Sequence, residues 1–397
     1  MKSGWGALVF LALLLMPATG LAEIVWDARG FGRVLGGYGH YPAGSSVDDR
    51  DMEGAAGTMR LLADGRLGSR LGLEVNLMQE VVSRDIGGND AALDVERSGL
   101  FTWQQEASGD YLAQLSLDCL ALHYRGPDLY LTVGRQPINL ATTFFFTPND
   151  FFAPFAAQAF FRVYKPGVDG LRADIGLGEL SQLSLIAVLA YDEETSADTG
   201  WSKGPDWART SYLGRLVTNR LDWEFGLLAG TVHDRTVLGG SLQGELFDWL
   251  GVRISGHYGD PEAGEGDAAT EFCLGLEHRF PNSLDLRGEY YYHGRGFASI
   301  EAANLADAAG GYLGRTYTGL AASYEFSPLL TGQALVLINW TDQSRLWSIY
   351  TVYSLTDESE LSATLSIPEG DKPDDTWLNS EFGASPLVFF LEYRVYF

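Results

Sequence analysis

Alternation with a period of two runs through almost the whole sequence, and that pattern leaves little besides β-strands for the chain to form. From Leu61 to Leu77 the odd positions are Leu61, Ala63, Gly65, Leu67, Ser69, Leu71, Leu73, Val75 and Leu77. The even positions around them include Arg60, Asp64, Arg66, Arg70, Glu74 and Asn76. Two such runs meet at Pro281-Asn282-Ser283 and read as a hairpin. Before the turn Phe272, Leu274, Leu276 and Phe280 face away from Glu271, Glu277 and Arg279. After it Leu284, Leu286, Tyr290 and Tyr292 oppose Asp285, Arg287 and Glu289. The alternation returns at Leu221–Leu227 and at Thr318–Phe326. Composition agrees with a large β protein: 48 of 397 residues are glycine and 13% are aromatic. That aromatic content also excludes an acidic disordered chain.

The first 22 residues read differently. Lys2 supplies a positive start, Trp5 to Met16 is a short apolar run, and Gly20-Leu21-Ala22 offers small residues at a cleavage site. This is the pattern of an export signal cleaved after Ala22, and the run is shorter than the ~20 residues of a spanning helix. Residues 23–397 contain no second helix-length apolar run. If they enter a membrane, they enter as strands.

Two kinds of connection separate the strands. Tight ones carry turn residues at Gly68-Ser69, Arg125-Gly126-Pro127, Asn219, Pro281-Asn282-Ser283, Ser327-Pro328 and Asp357-Glu358. Long acidic, Gly-rich ones fall at 38–54, 83–110, 192–206, 259–269, 295–311 and 368–380. Short turns at one end and long loops at the other are how outer-membrane barrels are built. Nineteen segments qualify as strands, but counting 96–107 puts a long loop on the short-turn side. Reading 96–107 as loop or short helix leaves about eighteen strands (16–20), an even number. The expected fold is an all-β transmembrane antiparallel barrel over 23–397, following a leader at 1–22.

Charge and motif content exclude several functions. Fifty-two Asp and Glu against 27 Lys and Arg give −25, which argues against a nucleic-acid partner. Two cysteines, Cys119 and Cys273, make neither a disulfide scaffold nor a Cys₄ metal site, and their reading on opposite parities of distant strands disfavours a bond between them. The six histidines show no HExxH spacing, and no nucleophile elbow, phosphate loop or haem-attachment motif occurs. Asp260 to Glu271 spaces its carboxylates like a calcium loop, but Glu265 stands where that loop needs glycine. The sequence therefore predicts no enzyme, no cofactor and no dedicated metal.

The last segment places Leu387, Phe389, Leu391, Tyr393, Val395 and Phe397 on one parity. In this it resembles the Gram-negative outer-membrane β-barrel proteins, whose final strand alternates apolar residues and ends in an aromatic. The resemblance implies residence in the outer membrane, contact with its lipid and lipopolysaccharide, and assembly through the strand ending in Phe397. A second stretch is similar to porin-type barrels. It comprises Val133-Gly134-Arg135-Gln136-Pro137-Ile138, then Phe146-Thr147-Pro148-Asn149-Asp150-Phe151-Phe152-Ala153-Pro154-Phe155, then Tyr164-Lys165-Pro166-Gly167-Val168-Asp169-Gly170-Leu171-Arg172. In those proteins such a strand enters a long loop and returns. Asn139 to Thr143 replaces the polar segment often found there, so the resemblance brings no particular solute with it.

Residues 137–167 hold eight phenylalanines and Tyr164. So apolar a loop must be buried, either folded into the barrel as a constriction or packed across its mouth or on a partner. Arg135, Asp150, Arg162, Lys165, Asp169 and Arg172 bound it. They either set the field seen by a permeating ion or pair to pin the loop. Inward parity elsewhere offers Arg66, Arg70, Glu74, Arg253, Glu277, Arg279, Asp285, Arg287 and Glu289, candidates for a transverse charge ladder across a wet lumen. Outward Trp223, Tyr290, Tyr292, Tyr324, Trp340 and Trp347 suit interfacial girdles. The function implied is a porin-like channel for passive diffusion of ions or small solutes. The alternative is a barrel sheath holding a multihaem cytochrome in an electron-transfer conduit, which is similar in being exported, haem-free and wide.

Overall fold

The computed structural model describes residues 24–44, 51–83, 95–191, 204–261, 267–300, 311–374 and 378–397. The leader read at 1–22 lies outside these, as do parts of the long acidic loops. Strands follow one another from β1 (Ile24–His40), β2 (Asp51–Leu67), β3 (Leu71–Ser83), β4 (Thr102–Ser108) and β5 (Tyr111–Arg125) to β6 (Leu129–Gln136). They continue as β7 (Val168–Gly176), β8 (Ser181–Tyr191), β9 (Pro205–Arg220), β10 (Trp223–Val232), β11 (Arg235–Leu246) and β12 (Leu250–Pro261). The remainder are β13 (Ala269–Arg279), β14 (Asp285–His293), β15 (Thr316–Ser327), β16 (Leu330–Asn339), β17 (Arg345–Thr356), β18 (Ser359–Glu369) and β19 (Leu387–Tyr396). All pairings between them are antiparallel, and β1 closes on β19 from Phe31↔Tyr396 to His40↔Leu387. Phe397 extends the seam, its N–H donating to Gly30 O at 3.0 Å. A Cβ on Gly30 would stand 1.9 Å from the Phe397 ring, so glycine is what lets that ring lie on the strand.

Eighteen strands make the barrel wall. The nineteenth, β4, corrects the reading of 96–107 as loop or helix. After a 3₁₀ turn at Gly99–Phe101 this stretch does pair with β5, from Thr102↔Ser116 to Ser108↔Tyr111. It does not cross the wall. On that same edge β6 pairs only with Leu120 to Arg125, so β4 occupies the height that the short β6 leaves empty.

Parity sorts the side chains as the pattern demanded. Lipid-facing positions expose Leu227 and Leu238 at 64% each, with Phe272, Leu274, Leu276, Ile349, Phe389 and Leu391 in the same outward rows. Exposure on that scale makes sense only against hydrocarbon, where antiparallel closure also pairs the wall strands with no open edge. Trp223, Tyr324 and Phe326 stand on the outward parity toward the short-turn end, and Tyr292, Trp340 and Trp347 toward the other. Tight turns dominate one end, two of them Leu221-Asp222 and Phe247-Asp248 with both φ angles positive. That geometry matches the strand twist and is usually given to glycine or asparagine. A third such turn, His233-Asp234, falls at the opposite end among the long loops. Cys119 and Cys273 are buried free thiols.

Candidate functional site: the lumen and the 137–167 segment

Residues 137–167 form no helix or strand, so their backbone groups need partners from elsewhere. Glu289 on β14 supplies three. Its carboxylate accepts the N–H groups of Phe144 (2.5 Å), Phe145 (2.9 Å) and Phe146 (3.0 Å). Successive N–H groups converging on an anion form a nest, and here the anion is part of the wall. Arg162, within the segment, donates to the carbonyls of Ala159 (2.7 Å), Ala157 (2.8 Å), Ala156 (3.2 Å) and Phe144. Burial pulls its pKa down from the usual guanidinium range. The Phe144 ring centroid lies 4.3 Å from Arg253 Cζ and 4.0 Å from Arg287 Cζ. Each guanidinium is attracted to the ring.

The other aromatic residues reach different parts of the circumference. Phe145 and Phe146 pack with Cys273, Tyr291, Tyr317, Leu335 and Leu337 on β13 to β16. Ile138, Leu140 and Phe152 pack with Ile186, Val188, Leu213, Leu228 and Val237 on β8 to β11. Phe160 stacks on Tyr350 of β17 at 4.9 Å, and Phe161 stacks on Phe31 of β1 at 5.6 Å. Tyr164 lies under Arg60 of β2 and Phe161 under Arg394 of β19. The wall residues in all these contacts lie on the parity opposite the lipid-facing rows. Inward leucine and valine on β8 to β11 are thus the seat of the segment, not an aqueous wall.

Of the six residues bounding the segment, four pair tightly. Arg135 and Asp169 meet at 2.7 Å with side chains 0% and 9% exposed. Arg135 also donates to Ser98 O (2.8 Å) and Leu117 O (3.1 Å), which seats it within the wall under the 95–101 run. Gly134, at φ 118, turns the backbone just before it. Lys165 and Asp150 meet at 2.5 Å, 6% and 2% exposed, and Asp150 also accepts Leu140 N–H. Burial lowers the Lys165 pKa while the Asp150 charge opposes that shift. Arg172 lines the lumen on β7 and pairs with Asp174 at 2.9 Å.

The remaining sequence candidates separate into two groups at the short-turn end. Arg66, Arg70 and Glu74 border a cavity of 340 Å³, where His123 lies 3.4 Å from Glu74. Arg279, with Arg253, Glu224, Glu277 and Asp285, borders another of 600 Å³. Arg279 itself is 63% exposed and pairs with Glu325 at the rim. Arg287 lies higher, between Asp285 (2.9 Å) and Glu277 (3.6 Å). Arg253 and Arg287 thus both pair with Glu277 across neighbouring strands, at 3.0 and 3.6 Å.

A second row of charge escaped the sequence reading. Arg33 lies 3.6 Å from Glu392 and 3.8 Å from Glu80, Arg60 2.5 Å from Asp118, and Arg394 2.6 Å from Glu392 and 3.1 Å from Glu360. Inward Arg33 alternates with glycines at 30, 32 and 36, so its strand lacks the apolar signal that marks parity. Glu392 and Arg394 did carry a signal, standing opposite the aliphatic row of the last segment.

This closed, lipid-belted barrel with a segment drawn inside has the porin fold of the bacterial outer membrane. Solved structures bear that out. Acinetobacter baumannii OccAB3 superposes with a TM-score of 0.57 at 14% identity, covering 94% of this chain and 99% of that one. Pseudomonas aeruginosa OccK2 in complex with glucuronate gives 0.57 at 12%, covering 95% and 99%. A BenF-like porin from Pseudomonas fluorescens Pf-5 gives 0.59 at 11%, covering 95% and 100%. No protein-family model and no curated protein sequence matches this chain.

Proposed function

We propose that the protein is an outer-membrane channel for passive diffusion of small solutes, with 137–167 as its constriction. The observation that carries this reading is the clamp of that segment by inward side chains on opposite arcs: Glu289, Arg253 and Arg287 on one, Phe31, Arg60 and Arg394 on the other. A segment so held narrows the lumen. The charges along it come as compensated pairs, so they orient polar solutes without imposing one sign of ion. A cytochrome sheath needs a clear bore, and the segment occupies it. Transport, not catalysis, is the activity of such a site. The lipid and lipopolysaccharide of the outer leaflet are its surroundings, and the aromatic β19 at the seam is the strand that assembly machinery would read.

The test is reconstitution in planar bilayers under a salt gradient, with glucuronate added as a trial solute. Discrete, small conductance steps fit a constricted pore, and absence of conductance would sink the proposal.

A further inference from the structure

A cavity of 370 Å³ lies between the second half of the 137–167 segment and strands β1 and β17 to β19. It is at the small end of the ~300–1,000 Å³ range of small-molecule sites. Its lining combines two chemistries. The hydroxyls of Ser362, Thr364 and Ser366 follow one another along the inward face of β18. Phe390 stands beside them on the wall as the cross-strand partner of Thr364, and Phe160 borders the cavity from the segment. Phe160 is held flat by Tyr350, with the rings 9° from parallel, and Phe390 by Gly37, where any Cβ would stand 2.2 Å from the ring. Rigid aromatic faces beside a row of hydroxyls suit a solute with an apolar C–H face and a polar edge.

Charge narrows the class. Glu392 is the cavity's one ionic group among the described residues, and it is already bound by Arg394 at 2.6 Å and Arg33 at 3.6 Å. Those two arginines are also engaged by Glu360 and Glu80. A solute carboxylate entering here would shed water and meet no uncommitted cation, which is costly. Hydroxyl groups exchange water for Thr364 and Gln158, and share Ser362 and Ser366 with their wall partners Tyr350 and Ser348, at little cost.

We propose that this cavity is a solute subsite for an uncharged, polyhydroxylated ring of monosaccharide size, stacked on Phe160 and Phe390 with its hydroxyls on β18. The inference rests on the channel reading above. The experiment is current block in planar bilayers: KCl conductance is measured first, then titrated with glucose and with glucuronate, which share a ring and differ by a carboxylate. Glucose is expected to block at several-fold lower concentration. The doubly substituted Thr364→Val, Ser366→Ala barrel should need roughly fivefold more glucose, the scale of lost hydrogen bonds. Heat-dependent gel mobility verifies that the variant is folded, and the blocking constant is read on whatever current it carries. A conducting channel that glucose does not block, that glucuronate blocks better, or whose glucose block survives the double substitution overturns the subsite and leaves the channel standing. Absence of any KCl conductance removes the channel and the subsite with it.

Discussion

The Glu289 carboxylate on β14 accepts the Phe145 backbone N–H at 2.9 Å, joining residues 144 positions apart. With Phe144 and Phe146 bound to the same carboxylate, one wall side chain holds the tip of the segment. Replacement of Glu289 by alanine orphans three donors, each worth about 1–3 kcal/mol when buried and unmet. The tip should detach while the wall stays closed. Single-channel records of Glu289→Ala are expected to show larger mean conductance and more open-state noise than the wild type. A trace indistinguishable from wild type would show that the nest does not hold the constriction.

Lys165 and Asp150 make a buried pair with opposite consequences for single and double replacement. Asp150→Ala leaves an uncompensated ammonium in an apolar setting, a loss of about 3–5 kcal/mol, whereas an apolar substitution of both partners is often neutral. Hydrogen exchange across 140–166 should therefore rise in Asp150→Ala and return toward wild type in Asp150→Leu, Lys165→Met.

Arg135 and Arg279 each pair with a carboxylate at 2.7 Å, yet their worth differs. The Arg135–Asp169 pair is buried and also binds two carbonyls, while Arg279 and Glu325 are more than half exposed. Solvent screening reduces the exposed pair to about 0–1 kcal/mol, and breaking the buried one costs about 3–5 kcal/mol. In denaturant titrations of the barrel in detergent, Arg135→Ala should unfold at clearly lower concentration and Arg279→Ala close to wild type.

Glu381, beyond the end of β18, accepts hydrogen bonds from Tyr317 Oη at 2.5 Å and Asn339 Nδ2 at 2.7 Å, and its backbone N–H donates to Asp342. Burial, with Asp342 adding, pushes its carboxyl up to about 7. Because this is above the unfolded value of ~4.3, the folded state binds the extra proton, and stability is lost as pH rises between the two values. The 378–386 stretch should be most tightly docked near pH 4 and loosen toward pH 7 and above. Exchange rates corrected for intrinsic chemistry check this at pH 5 and pH 8, and Glu381→Gln should remove the difference.

How far the sequence could be read follows the range of each interaction. Lipid-facing rows such as Leu387 to Phe397 announce themselves because period and hydrophobicity coincide within one strand. The burial of 137–167 was legible from its phenylalanines alone. Its seat was not, because Ile186, Val188, Leu213 and Leu228 are inward yet apolar and so blur the alternation of β8 to β10. The turn at Phe247-Asp248 left no signal, and that at Leu221-Asp222 was read two residues early at Asn219, because neither pair contains glycine, proline or asparagine. Glu289 stood among the inward candidates, but nothing local tells that its partners are backbone amides far along the chain. Arg33 and Arg394 meet through Glu392 only once the seam between β1 and β19 is closed.

The run from 95 to 108 has a consequence for any attempt to re-engineer this pore. Drawing 137–167 inward shortens β6 and β7 to eight and nine residues, and the notch so left is covered from outside that hairpin. Val95 O receives Tyr191 N–H at 2.8 Å, Glu96 O receives Asp169 N–H at 3.0 Å, and β4 lines up along β5. The 137–167 segment and the run that covers its notch are thus two halves of one module, separated in sequence by a full hairpin. A transplant of 137–167 alone into another barrel would carry a breach in the wall with it, and an exchange must move both segments together.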